Sequence, residues 1–219
     1  MTKSKLEVTP HKYNEDTNTV EFELTSVEET YNIIVDKKDW DRILENNRIP
    51  HIFRKRLSSG NTSNYYRVKI EDKGKPRLPS GKLRFSFLHR WILGEENIPE
   101  GMQVDHVNGN PLDNRRSNLR LCTLMENMVN RKNKNPYSKY NGVCYNNGNK
   151  KVSTGTRRCI SRPWKATITL KAGEGKINIG TFVTEEEAAI AWDKIAYKHF
   201  GEFAQLNFPE NKPLYKSLI

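Results

Sequence analysis

One stretch constrains this chain more than any other: residues 104–130, VDHVNGNPLDNRRSNLRLCTLMENMVN. A short apolar run ends in the adjacent pair Asp105-His106, and a turn rich in Asn and Gly parts it from a second run, Leu119-Arg120-Leu121. Runs this short, separated by turn residues, can pair as strands but cannot build long helices. The second run stops at Thr123, which with Glu126 makes a capping box, so a helix starts there and carries Asn127 in its first turns. The segment therefore reads as a hairpin followed by a helix, with carboxylate, imidazole and carboxamide in one small unit.

Those groups have a chemistry in common. Asp105 offers an anionic oxygen and Asn127 a carboxamide oxygen 22 positions later. Two hard oxygen donors, with other positions left to water and phosphate, suit Mg²⁺ or Mn²⁺ better than Zn²⁺. In a regular strand His106 points away from Asp105, but at a strand end the chain can turn so that neighbouring side chains converge. A near-neutral imidazole is the natural general base for water at physiological pH. Asn118 is placed to brace the intervening loop through backbone hydrogen bonds. Asn114 and Asn130 read as turn and helix-cap residues, outside the reacting set. His89 either lines the site or packs beneath it.

Composition argues for several small modules instead of one large core: hydrophobic residues make up only 35%, and the mean hydropathy is -0.82. No run approaches the roughly eighteen apolar residues that span a bilayer, and the start MTKSKLEVTP lacks an apolar signal core. A soluble, cytoplasmic protein without membrane contact is expected. Cys122, Cys144 and Cys159 form neither an even set nor a C-x-x-C pair, which disfavours disulfide and cysteine-zinc frameworks. The net charge of +11 is uneven, with 7 Lys/Arg against 11 Asp/Glu over residues 1–50 and 30 against 15 over residues 51–219. A basic body with an acidic head points to a polyanion partner, most simply nucleic acid.

Along the chain, residues 1–18 read as a loose tail and 19–87 as an α+β region. In that region Val20–Leu24 and Tyr31–Val35 read as strands, and Asp36 as the N-cap of a helix carrying Trp40, Ile43 and Leu44 on one face. Strand-like pieces follow at His51–Arg56, Tyr65–Ile70 and Leu83–Leu88, with turns at Gly60-Asn61, Gly74-Lys75-Pro76 and Pro79-Ser80-Gly81. Leu88–Leu93 reads as a short helix stopped by Gly94. Residues 131–139, RKNKNPYSK, form a basic linker. Residues 140–210 form a last module of three strands and one helix, and 211–219 a tail. That helix opens with a second capping box, Thr184 to Glu187, and buries a face of Ala188, Ala189, Ala191, Trp192, Ile195 and Ala196.

The Asp-His pair, the DNR-x-x-NLR block and the capped helix, in this order and spacing, resemble the HNH endonuclease motif, a ββα-metal fold. The variant is that of phage and intron-associated homing enzymes, with Asn127 where other members place His. Over residues 88–130 the resemblance implies that Asp105 and Asn127 hold the metal, His106 is the base and Asn118 the central structural Asn. It implies a host-cytoplasm location if the chain is phage-encoded.

YNGV at Tyr140–Val143, WKATI at Trp164–Ile168, IGTF at Ile179–Phe182 and the following helix resemble the DNA-binding domain of Apetala-type ethylene-response factors. Such domains lay a three-stranded sheet into the major groove. Alternation turns Ala166, Ile168 and Leu170 to the helix and Lys165, Thr167, Thr169 and Lys171 outward. The expected DNA-contacting set is Asn141, Lys165, Thr167, Thr169, Lys176 and Asn178. It holds fewer Arg than the plant pattern, and residues 146–162 add a longer polar loop, which implies looser base readout. The expectation is a modular α+β, monomeric, Mg²⁺- or Mn²⁺-dependent endonuclease that nicks double-stranded DNA. The rival is a non-cleaving DNA-binding regulator with a vestigial nuclease centre.

Overall fold

The structure, a computed structural model, describes residues 11–25, 29–56, 62–71, 76–130, 137–145, 161–171 and 173–217, without the side chains of 54–56 and 62–65. The turns at Gly60-Asn61 and Gly74-Lys75, most of the linker (131–136), most of the polar loop (146–160, with Cys159) and the first ten residues lie outside them. The chain is α+β, built from small antiparallel sheets and short helices. It divides into two compact units, residues 1–121 and 122–219. Among the described residues no helix is long and apolar enough to cross a membrane.

In the first unit, β1 (His11–Asn14), β2 (Thr19–Thr25) and β3 (Thr30–Asp36) form one antiparallel sheet in that order. Period-two alternation sends Val20, Phe22, Tyr31, Ile33 and Val35 inward. The strand β1 falls where sequence reasoning expects a loose tail. All four of its residues are exposed, so it has no hydrophobic signature. It is held by its ladder to β2 and by the His11 ring, whose centroid is 5.3 Å from that of Trp40. Helix α1 (Lys37–Glu45) follows directly and buries Asp39, Trp40 and Ile43.

A second antiparallel sheet, β4 (Pro50–Arg56), β5 (Thr62–Glu71) and β6 (Phe85–Phe87), leads into α2 (Leu88–Leu93). Then come β7 (Gln103–His106) and β8 (Leu119–Cys122), paired in a two-stranded sheet. The boundary expected between residues 87 and 88 does not separate two cores. Leu88, Ile92, Val104 and Leu119 pack in the same cluster as Phe22, Ile33, Trp40, Ile43 and Ile70. The amino-terminal region is thus the platform on which β7 and β8 are built.

The second unit holds α3 (Leu124–Val129), the antiparallel sheet β11-β10-β9 (Ile177–Phe182, Trp164–Ile168, Val143–Tyr145), α4 (Glu185–Phe200) and α5 (Lys212–Lys216). Ala188, Ala189 and Ala196 are fully buried against Val143, Ala166 and Ile168, because only small side chains let α4 come this close to the sheet. Both expected capping boxes are formed, at Thr123/Glu126 and at Thr184/Glu187. The expected tail from 211 is partly helical: α5 buries Tyr215, whose ring lies 6.3 Å from that of Tyr197. Pro213 and a five-residue length hide such a turn from periodicity.

Candidate active site

The strand β7 ends in Asp105 and His106, both buried, and residues 107–118 form the loop that returns to β8. Asn118 organises this loop. Its Oδ1 accepts from the backbone N–H of Asn108 at 3.0 Å, and its Nδ2 donates to Asn108 Oδ1 at 3.0 Å and to the Asp113 carbonyl at 2.8 Å. The Val107 N–H donates to the Asn118 carbonyl at 2.9 Å, so the loop closes immediately after His106. Asp113 accepts from Asn108 Nδ2 and from the Arg115 guanidinium at 2.6 and 2.8 Å. Burial alone would push the Asp113 carboxyl up, but Arg115 and Asn108 together hold it below the usual carboxylate range.

The loop is anchored to the platform as well. Ile34 in β3 and Asp113 form a parallel bridge: the Ile34 N–H donates to the Leu112 carbonyl and the Asn114 N–H donates to the Ile34 carbonyl. Arg116 grips Asp39 on α1 with two bonds of 2.8 Å and donates to the Ile92 carbonyl at 2.6 Å. Asp39 is fully buried and also takes Arg42 at 2.6 Å. Asp36 stands at the N-cap position of α1, but its side chain makes no cap bond there. It accepts instead from the Arg116 N–H at 2.8 Å. Fork-shaped guanidinium pairing of this kind fixes direction as well as distance.

Asn114, fully buried, places its Oδ1 3.3 Å from His106 Nε2. By residue type and position alone Asn114 reads as a turn residue outside the reacting set. The available signal was its place inside the DNR-x-x-NLR block, but two Asn in one block cannot be told apart by residue type. His89 from α2 meets His106 edge-on, with ring centroids 5.0 Å apart, and stacks on Phe87 at 5.6 Å. Burial pulls the His106 imidazole down to about 4; the Asn114 bond opposes this and the charge of Arg67 adds to it. Burial also holds His89 well below its ordinary value, with His106, Arg67 and Arg90 acting in the same direction. Both imidazoles are neutral at physiological pH.

Asp105 Oδ2 accepts from Arg120 across the β7–β8 pair, at 3.0 Å from Nη2 and 3.2 Å from Nε. Asn127 lies on α3, an element of the second unit. Three of the four expected centre residues, Asp105, His106 and Asn118, thus come together in the first unit. Among the described residues there is no group of three or more His, Cys, Asp or Glu able to hold a metal. Of the expected metal donors, the first unit holds the buried Asp105 carboxylate, which fits in kind a hard divalent cation that keeps much of its coordination for water and phosphate.

In the second unit, Lys165 pairs with Cys144 and Thr181, and Thr167 with Asn178, on the side of the sheet away from α4. A bulge between Ala166 and Thr167 skips Ile179, yet Ala166 and Ile168 both stay buried. The strand β10 ends at Ile168 and β11 starts at Ile177, so Thr169 and Lys176, expected on the outer sheet face, lie in the connecting turn instead. Asn141 is not available as a reading side chain: its Nδ2 donates to the Gln205 carbonyl at 2.7 Å, and its N–H to Asn207 Oδ1 at 2.6 Å. Asp193 on α4 completes this latch by accepting from the Asn207 and Phe208 N–H groups, each at 2.8 Å. Burial raises the Asp193 carboxyl to about 6 despite those two donors.

Residues 86–129 match the family model described as HNH endonuclease. An uncharacterized HNH endonuclease of Acanthamoeba polyphaga mimivirus is 33% identical over 123 residues, which cover 55% of this chain and 56% of that protein. The chain thus spans about half the length of this relative. No solved structure matches the chain.

Proposed function

We propose that this chain is an HNH-type DNA endonuclease that hydrolyses phosphodiester bonds, with His106 as general base. The observation that carries the proposal is the buried Asp105-His106 pair at the end of β7, inside the stretch that matches the HNH endonuclease model. Asp105 would hold Mg²⁺ or Mn²⁺, which when bound neutralises charge on the phosphate and steadies the leaving 3′ oxygen.

The rest is the work of this chain's own side chains. With Asn114 Oδ1 accepting from Nε2–H, Nδ1 is the basic nitrogen of His106 and takes the proton of the attacking water. Its low basicity keeps it ready in neutral form across the physiological range. Asn118 holds the loop on which the imidazole is aimed, and Arg120 orients the Asp105 carboxylate. In the second unit, Lys165, Thr167 and Asn178 on the outer sheet face contact double-stranded DNA in the manner of an Apetala-type domain. One reaction centre per chain makes a monomer that nicks one strand.

Supercoiled plasmid incubated with Mg²⁺ tests this reading. Nicked circles should accumulate, and His106→Ala should slow their formation by about 10²–10⁴-fold, the usual contribution of a positioned base. Plasmid that is bound but left intact would favour the non-cleaving regulator. Full activity of His106→Ala would remove His106 from the chemistry.

A further inference from the structure

No residue of the outer face of the β4–β5–β6 sheet makes a contact used in the chemistry above, and its Arg67 acts on His106 through its charge. Along β5, Val68 and Ile70 enter the core, so Arg67 and Lys69 turn the other way. Strand register sets Lys69 between His51 and Phe87, Arg67 beside Phe53, and Phe85 beside Glu71, the acidic residue of this face among those described. Aromatic rings close around the lysine: its Nζ lies 3.7 Å from the Phe53 centroid and 5.4 Å from that of Phe87. Burial lowers the Lys69 amine below its ordinary range, and among the described residues no ion pair engages it. A partly buried lysine held against aromatic rings and outside any described ion pair is a ready seat for an anion.

The same face runs into the reaction centre. Phe87 stacks on His89, and His89 abuts His106. Beyond Lys69, Phe85 is 43% exposed and meets the exposed His51 ring edge-on at 5.5 Å. Cations that suit phosphates, alternating with rings that suit base faces, are what an unpaired strand requires. A closed duplex stacks its bases on one another and leaves such rings nothing to receive.

We propose that the outer face of β4–β6 binds an unpaired DNA strand beside the cut bond. A phosphate sits at Lys69 and Arg67, and a base lies on Phe85 and His51. The proposal rests on the nuclease reading and adds to it that the duplex is opened next to the cut.

The test uses the full chain in EDTA at low salt, with fluorescence anisotropy of three labelled oligonucleotides of one sequence: duplex, duplex with a central mismatched bubble, and single strand. The bubble should bind more tightly than the duplex. Phe85→Ala should weaken bubble binding roughly 5- to 150-fold, the range for losing one base–aromatic stack, and duplex binding far less. Lys69→Gln should reduce the log–log salt slope on the single strand by about 0.7, one phosphate contact. Both positions lie on the solvent side of the sheet, and circular dichroism checks that each variant is folded. A bubble bound no better than the duplex overturns the proposal, as do two folded variants that bind it like the parent chain. Plasmid cleavage that persists in that case leaves the nuclease reading standing. Failure to bind any of the three DNAs overturns both.

Discussion

At the scale of single residues, the loop of 107–118 depends on one carboxamide whose donor and acceptor ends are both in use. Asn118 satisfies the Asn108 N–H, the Asn108 side chain and the Asp113 carbonyl at once. Replacing it with Asp keeps the bond from the Asn108 N–H but turns the two donated bonds into oxygen–oxygen contacts, whose repulsion offsets that bond, so the near-isosteric variant gains little over Ala. Each variant should lose about 2–4 kcal/mol, from three bonds near 1 kcal/mol in Ala, or two bonds and the oxygen–oxygen repulsion in Asp, and from polar groups left unmet. Urea titration measures the loss, and plasmid nicking should fall with it. An Asp variant as stable as the parent chain would show that the loop is held some other way. The bracing role of Asn118 was legible in the sequence from its distance to His106. The contact of Asn114 with His106 was not, because which of two Asn in a turn faces the imidazole depends on backbone folding that residue type does not encode. Asn141 misled for a similar reason: alternation places a residue on a face but cannot say that the chain returns from Gln205 to claim it.

At the scale of elements, helix and strand positions were readable wherever burial imposes a period, as in β2, β3, α2 and α4, and wherever side chains cap, as at Thr123 and Thr184. They were unreadable where long-range pairing does the work, as in the wholly exposed β1. Asp36 shows both sides, since it does start α1 but its carboxylate serves Arg116. That cross-link gives α1 a role in the site. Asp39→Asn leaves Arg116 and Arg42 without a carboxylate and should cost about 3 kcal/mol or more, the lower end for breaking a buried pair. If α1 positions the loop, kcat for nicking should drop while DNA affinity in EDTA stays within about two-fold; equal kcat in a destabilised but folded variant would limit Asp39 to stability. In the second unit, Gly142 has φ +70°, and a Cβ there would sit 1.9 Å from Trp192 Nε1. Backbone strain of about 1 kcal/mol or more then adds to a steric clash in Gly142→Ala. Lost near-ultraviolet dichroism from Trp192 should report it; an unchanged spectrum and melting curve would mean that the β9 turn can open.

At the scale of the whole molecule, the two units carry buried titrating groups of opposite consequence. In the first unit, burial lowers His106 from 6.5 to about 4 and lowers His89 as well. Between pH 6.5 and 4 the unfolded chain therefore binds more protons than the folded one, and stability of this unit is lost as pH falls. In the second unit, burial raises Asp193 from 3.8 to about 6, so the folded form binds more protons between those values. Stability of this unit is gained as pH falls through that window. Taking the full chain from pH 7 to pH 5 should therefore weaken residues 76–121 while residues 161–208 hold or strengthen. Hydrogen exchange followed by mass spectrometry reads the two regions in one sample, once intrinsic exchange rates are corrected for pH. Replacing Asp193 with Asn should flatten the response of the second region, whatever that substitution does to absolute stability. A uniform loss of protection in both regions would mean that Asp193 stays ionised, its two backbone N–H donors outweighing its burial.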